Sequence, residues 1–274
     1  MKRNWATGFG SFLEHLGHRI STLGYIFKNR AYMHVRRDAG GARDLYRLLN
    51  KRWLARERIG TVLDVGANEG QFIKVARALF PQASILAFEP IPSLNRGLQS
   101  LLGSSAKNAV FQVACGREPA TRTLHLATFG PATSLLNPTS LRIPDFPVVE
   151  TNESIDVQVE RLDRLVAGCD FVLKPYLLKI DVQGFELEVL HGATGILPDI
   201  VAVVCEVNLA PFYEGQASFE DIYAFMRQHD FSLVNLAEPI RAPGTEEILY
   251  FDAAFLNMRH APGSDQSVGR SPAR

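Results

Sequence analysis

At 274 residues the chain has room for one large α/β domain and an appendage, because a single core typically keeps growing until about 250 to 300 residues. With 46% hydrophobic residues, 21% charged residues and a formal charge of zero, the composition excludes disordered and fibrous classes, and bulk charge points to no polyanionic partner such as nucleic acid. The charge is unevenly spread, since residues 1–58 hold thirteen Lys and Arg against four Asp and Glu, leaving sixteen against twenty-five for the remainder.

Residues 1–59 read as a helical N-terminal extension. Phe9, Phe12, Leu13, Leu16, Ile20, Leu23 and Phe27 recur at helical spacing, with Arg19 and Lys28 nearby. Two readings of this face stay open: it packs on the main domain or on another subunit of a homo-oligomer, or residues 9–28 touch an anionic membrane surface. No apolar run approaches the roughly 18 residues that span a bilayer, and Met1-Lys2-Arg3-Asn4-Trp5 lacks the apolar core of a secretory signal. Cys115, Cys169 and Cys205 are odd in number and without CxxC spacing, which argues against a disulfide framework and a zinc site. A cytoplasmic setting is the expectation.

From Gly60 the pattern alternates. Thr61-Val62-Leu63-Asp64-Val65 is a short buried strand, and Phe72, Val75, Ala76, Leu79 and Phe80 then follow a helical period, so Gly66 to Gly70 is a strand-to-helix turn. Ser84 to Phe88 makes a second strand, with Leu94, Leu98, Leu101 and Leu102 striping the next helix, and Ala109 to Val113 a third. Residues 116–164 read as an irregular acceptor-side insertion. Tyr176 to Ile180 is a fourth strand, followed by a helix carrying Val189, Leu190, Ala193 and Leu197, and Ile200 to Cys205 a fifth. Ser218 with Asp221 caps a helix, and Phe231 to Leu236 and Ile248 to Phe255 complete seven strands. The expected fold is therefore α/β, a Rossmann-like doubly wound and mostly parallel seven-stranded sheet over residues 60–257, with residues 258–274 a disordered tail.

Open parallel sheets bind ligands beyond the carboxyl ends of their strands, so functional residues are sought there. Asp64, Gly66, Ala67, Asn68 and Gly70 surround the first turn, Glu89 and Pro90 follow the second strand, and Ala114 follows the third. The turn is not GxGxxG. Asp64 ahead of it and Glu69 within it would repel a pyrophosphate, yet they suit a nucleoside with a cationic amino-acid portion, such as S-adenosylmethionine. Glu89 is placed to accept hydrogen bonds from both ribose hydroxyls, because a carboxylate offers paired acceptors.

Leu178-Lys179-Ile180-Asp181-Val182-Gln183-Gly184-Phe185-Glu186, continuing to Val189-Leu190-His191-Gly192-Ala193, resembles the FkbM family of methyltransferases, as do Leu63 to Gly70 and Ala87-Phe88-Glu89-Pro90. The resemblance spans about residues 60–255. It implies a class I methyltransferase using S-adenosylmethionine, acting on oxygens of sugars, lipids or natural products. Gln183 is a departure, since the family commonly has Glu there.

Methyl transfer needs an aligned acceptor oxygen and a base. Asp181, at the point where cofactor and acceptor should meet, is expected to contact the cofactor and to serve as base or orienting carboxylate, with helix capping as its plain structural alternative, and Glu206 is a second catalytic candidate. Lys179, in an otherwise apolar strand, is expected to pair with a carboxylate, with activation of the acceptor as the catalytic alternative. Asn208, Thr133 and Ser134 are the candidate acceptor contacts, the last two in a long loop of the kind that often binds substrate. Asp181, Glu206 and Asn208 offer oxygen ligands for a divalent ion, but nothing in their spacing demands one, and His125, His191 and His229 are scattered, so no metal is assigned. Two other functions compete: a non-catalytic S-adenosylmethionine-binding module, and a nicotinamide-dependent sugar dehydrogenase.

Overall fold

The computed structural model describes residues 42–54, 59–128, 130–147 and 149–261. The apolar face at residues 9–28 and the tail beyond residue 261 lie outside the described residues.

Five parallel strands form the centre: β1 (Thr61–Val65), β2 (Ser84–Phe88), β3 (Asn108–Phe111), β7 (Tyr176–Ile180) and β8 (Ile200–Asn208). β11 (Ile248–Asn257) runs antiparallel to β8, and β9 (Phe231–Leu236) and β10 (Ile240–Arg241) pair with its far edge. The order is β10-β11-β8-β7-β1-β2-β3, with β9 beside β11. The expected Rossmann-like, mostly parallel sheet is what forms, and the short β10 brings its strand count to eight rather than seven. The chain moves outward from β1 to β3 and then returns to β7, so the strand order reverses between β1 and β7. That is where such a sheet opens a crevice.

Helices cover both faces. α2 (Gln71–Leu79) and α3 (Pro92–Leu102) pack on one face together with α1 (Arg43–Leu49), whose Tyr46, Leu48 and Leu49 are buried against Phe72, Ile73 and Val204. The described part of the N-terminal extension thus packs on the sheet. The other face carries α4 (Leu162–Ala167), α5 (Glu186–Gly192) and α6 (Phe219–Gln228), through Leu162, Leu190 and Met226. Ser218 and Asp221 form the expected reciprocal cap of α6.

Residues 116–164 are not irregular throughout. β5 (Ala120–Ala127) and β6 (Thr151–Glu160) pair antiparallel, and β4 (Ala114–Cys115) adds to β6 as a third strand. The third strand of the sequence reading is in fact broken at Gln112 and Val113, where the chain leaves the main sheet for this smaller one. Leu124, Val157 and Val159 form its buried face, packed with Ala114, Leu126 and Ile155. Alternation of Ile155, Val157 and Val159 with exposed Ser154, Asp156 and Gln158 was the available signal. β8 also runs three residues past Cys205, which puts Glu206 and Asn208 inside a strand. Met258–His260, expected as part of the tail, form a short 3-10 turn capped by Asn257.

Candidate active site

A cavity of about 320 Å³ opens at the carboxyl ends of the parallel strands, within the ~300–1,000 Å³ typical of small-molecule sites. On the β2 and β3 side it is lined by Gly66, Asn68, Glu89, Pro90, Ile91, Val113, Ala114 and Leu124, and on the β8 and β11 side by Asn208, Phe212, Tyr213 and Tyr250. Asp181 and Gln183, in the turn after β7, and Glu206, within β8, also line it.

The turn after β1 is shaped by close approach. Gly66 has φ +73, and a Cβ there would fall 1.9 Å from the Asp181 carbonyl oxygen, so only glycine lets β1 and β7 end side by side. Its N–H, like that of Ala67, bonds to the Phe88 carbonyl. Asn68, at φ +46, points its N–H at Glu89 Oε2 over 2.8 Å, and the Ile91 N–H bonds Oε1 at 3.0 Å. Two backbone donors thereby fix the Glu89 carboxylate in the cavity wall, leaving each oxygen a further acceptor site. Burial raises the Glu89 carboxyl above its ordinary range, and the two amide bonds act against that rise.

Below the cavity floor lies an ion pair. Register sets Asp64 of β1 opposite Lys179 of β7, and the Lys179 ammonium sits 3.5 Å from Asp64 Oδ1, 3.4 Å from Asp181 Oδ2 and 2.9 Å from the Gly66 carbonyl. Burial works against the Lys179 charge, but Asp181, Asp64 and Asp252 outweigh it and hold the ammonium above its ordinary range. Asp64 is fully buried with neither oxygen hydrogen-bonded, and burial raises its carboxyl while Lys179 opposes the rise. Neither residue lines the cavity. Lys179 thus forms the ion pair with carboxylates expected of it rather than facing the acceptor, and Asp64, expected as a cofactor contact, stands outside the cavity lining as its partner. Ala67 and Gly70 likewise stay outside the lining, Ala67 buried at 2% exposure and Gly70 starting α2 at φ +80.

Asp181 keeps a third of its side chain exposed at the cavity. It does not cap α5, whose N-cap Phe185 makes no side-chain capping bond. Instead Gln183 Nε2 donates to Asp181 Oδ1 at 2.9 Å and to Glu206 Oε1 at 2.7 Å. Cross-strand pairing sets Asp252 beside Glu206. Burial, then Asp181, Asp252 and Glu186, push the Glu206 carboxyl well above the usual range, and burial with Asp181 pushes Asp252 up to about 7.

Glu186 is buried, and its Oε1 accepts the N–H groups of Val182 and Gly184, each at 3.1 Å, so it braces the turn. Burial raises it from 4.5 to about 7. The folded state therefore binds this proton more tightly than the unfolded chain, and the stabilisation, full below about pH 4.5, is lost as pH rises through about 7. Glu186→Gln is expected to shrink the fall in stability between about pH 5 and pH 8 by roughly 1–3 kcal/mol in thermal melts, whatever its effect at one pH. An unchanged slope would remove Glu186 as its source.

The acceptor-side loop is tied to this floor. Ser134, 2% exposed, donates its hydroxyl to the Gln183 carbonyl at 2.6 Å and accepts from Leu136 N–H, while Thr133 Oγ1 accepts from Ala127 N–H. Both expected acceptor contacts line the cavity, and Ser134 spends its hydroxyl proton on the Gln183 carbonyl of the turn after β7. Asn208, 5% exposed, lines the cavity with its Nδ2 unpartnered. Gln183, Phe212, Tyr213 and Tyr250 were not picked out as site residues; Phe212 and Tyr213 follow β8 closely enough for the strand-end rule to reach them once β8 is carried to Asn208. Among the described residues, no group of His, Cys, Asp and Glu could hold a metal ion.

Residues 64–233 match the family model described as the methyltransferase FkbM domain. The chain is 28% identical over 242 residues to the 31-O-demethyl-FK506 methyltransferase FkbM of Streptomyces tacrolimicus, covering 76% of this chain and 88% of that one. It is 29% identical over 172 residues to the hexuronic acid methyltransferase AglP of Haloferax volcanii, covering 63% of this chain and 64% of that one. Methyltransferase 1 of Beauveria bassiana is 27% identical over 164 residues, covering 53% of this chain and 64% of that one. The chain thus spans just under two thirds of the length of the last two.

Proposed function

From the premise that the chain belongs to the FkbM-domain methyltransferase family, we propose that it transfers a methyl group from S-adenosylmethionine to a hydroxyl oxygen, on a sugar of a glycan, glycolipid or glycosylated natural product. The observation that carries this reading is one cavity that reaches from the fixed Glu89 carboxylate past Asp181 to Asn208.

The residues present fit the cofactor. Glu89 would accept the ribose hydroxyls, Gly66 and Asn68 would let the ligand approach the backbone, and Ile91, Val113 and Leu124 offer apolar surface to a base. The acid-rich floor suits a cation better than a phosphate. When bound, the cofactor supplies an electrophilic methyl group on a sulfonium that departs with the bonding pair.

Asp181 accepts the proton of the acceptor hydroxyl as that oxygen becomes nucleophilic. Asn208 donates its unpartnered amide to an acceptor oxygen, which gives a buried donor the partner it lacks. The acceptor-side loop, with Phe212 and Tyr213, keeps water from the reacting oxygen. An oxygen as target is supported by a relative whose name specifies a 31-O position, and a sugar as the acceptor by one whose name specifies a hexuronic acid.

The test pairs calorimetry with transfer. S-adenosylhomocysteine is expected to bind and NAD not, and labelled methyl groups from S-adenosylmethionine are expected in glycolipid or polysaccharide extracts of the source cells. NAD binding in place of S-adenosylhomocysteine would favour the dehydrogenase, and binding with no transfer to any extract would leave a non-catalytic module.

A further inference from the structure

Gln183 sits in the turn after β7 at φ +56, and its side chain reaches back between two strand ends. Both carboxyls it touches, Asp181 and Glu206, take their bond from the one amide nitrogen, over 2.9 and 2.7 Å. At its other end Gln183 Oε1 accepts from the Tyr213 hydroxyl at 2.9 Å, a proton it shares with the Ala132 carbonyl at 3.0 Å. Flipping it would turn a carbonyl oxygen toward two carboxyls. Its main chain is pinned as well, by the Ser134 hydroxyl on the Gln183 carbonyl.

The surrounding charges are unequal. Lys179 contacts Asp181, with Asp64 behind it, and no ion pair to Glu206 is formed among the described residues. Facing Glu206 are Asp252 from β11 and Glu186 from α5, with the phenols of Tyr213 and Tyr250 from the cover. Two neighbouring carboxyls cannot both ionise cheaply, and the cation favours charge on the one it touches.

We propose that Gln183 is a positioning residue that holds Asp181 and Glu206 as a pair sharing a single proton, carried by Glu206, so that Asp181 stays free to accept the proton of the acceptor hydroxyl. The upward push on Glu206 by burial and neighbouring acids acts in the same direction. In turnover the acceptor's proton moves to Asp181 and from there to solvent, while Glu206 keeps its own. The consequence for turnover rests on the methyl-transfer reading; the one-proton pair does not.

The experiment is a pH titration of the full chain labelled with carbon-13 at the Asp and Glu carboxyls, followed by NMR, with Asp181→Asn and Glu206→Gln spectra for assignment. In the wild type the pair is expected to hold one proton at neutral pH, on Glu206. Gln183→Leu removes both donors and is expected to move the lower transition of the pair up by about one pH unit or more, because hydrogen bonds to the charged form are lost. The acidic limb of the kcat profile should move the same way. Gln183→Glu keeps the volume, adds a third acid and is expected to shift both in the same direction, so it serves if the Leu variant does not fold. Two ionised carboxyls at neutral pH in the wild type, or no shift in a folded variant, would overturn the proposal. Wild-type protein that shows the one-proton pair but transfers no methyl group would instead sink the activity and leave the pair standing.

Discussion

Asp181→Asn is expected to lower kcat by about 10²- to 10⁴-fold, the usual contribution of a positioned general base, equivalent to roughly 3–5 kcal/mol of transition-state stabilisation. Asp181 is the member of the Lys179 ion pair that faces the cavity, a third exposed where Asp64 is wholly buried. The Asn side chain keeps the shape and an oxygen for the Gln183 amide, and Lys179 retains Asp64 and the Gly66 carbonyl. The fold should therefore survive. Calorimetry with S-adenosylhomocysteine should find the variant still binding, because Glu89, the proposed ribose acceptor, is held by the amides of Asn68 and Ile91 and not by Asp181. Wild-type turnover in Asp181→Asn would remove it as the base, whereas lost turnover together with lost cofactor binding would reassign it to holding the cofactor.

The parts of this site that the sequence made legible are those fixed by strand ends. Gly66, Asn68, Glu89 and Asp181 each follow a short apolar run, and in an open parallel sheet that places them on one rim. Depth was not legible in the same way. Asp64 sits one row further back along its strand, on the sheet face covered by α1 and α2, so its place ahead of the turn suggested a cofactor contact although it lies beneath the cavity, paired with Lys179, whose apolar strand already called for such a partner. Gln183 reads from the sequence as one carboxylate fewer. Its role as a double donor depends on a left-handed backbone and on Tyr213, thirty residues away, and no local pattern encodes either. The β5–β6 pair was hidden differently: its alternation is plain in Leu124, Leu126, Val157 and Val159, but the proline-rich loop between the strands breaks the segment into an irregular pattern.

Lys179→Met is expected to be the most destabilising of these substitutions, by about 3–5 kcal/mol, the range for removing one partner of a buried ion pair. The reason lies with the group left behind. Asp64 has no hydrogen bond to either oxygen, and its nearest cation is Lys179. Without that cation Asp64 must take up a proton on folding, and the Gly66 carbonyl loses the donor that holds the turn against the end of β7. In a chain of this size the loss corresponds to a fall in Tm of roughly 6–20 °C at neutral pH. The deficit should narrow on acidification, because the unfolded chain's Asp64 then also carries a proton and the cost of protonating it on folding disappears. Pairing the change with Asp64→Leu removes the orphaned carboxyl, and the double variant is expected to recover part of the loss, since apolar replacement of a buried pair is often close to neutral. A double variant no more stable than Lys179→Met would mean that the bond from Lys179 to the Gly66 carbonyl, and not the charge on Asp64, accounts for the cost.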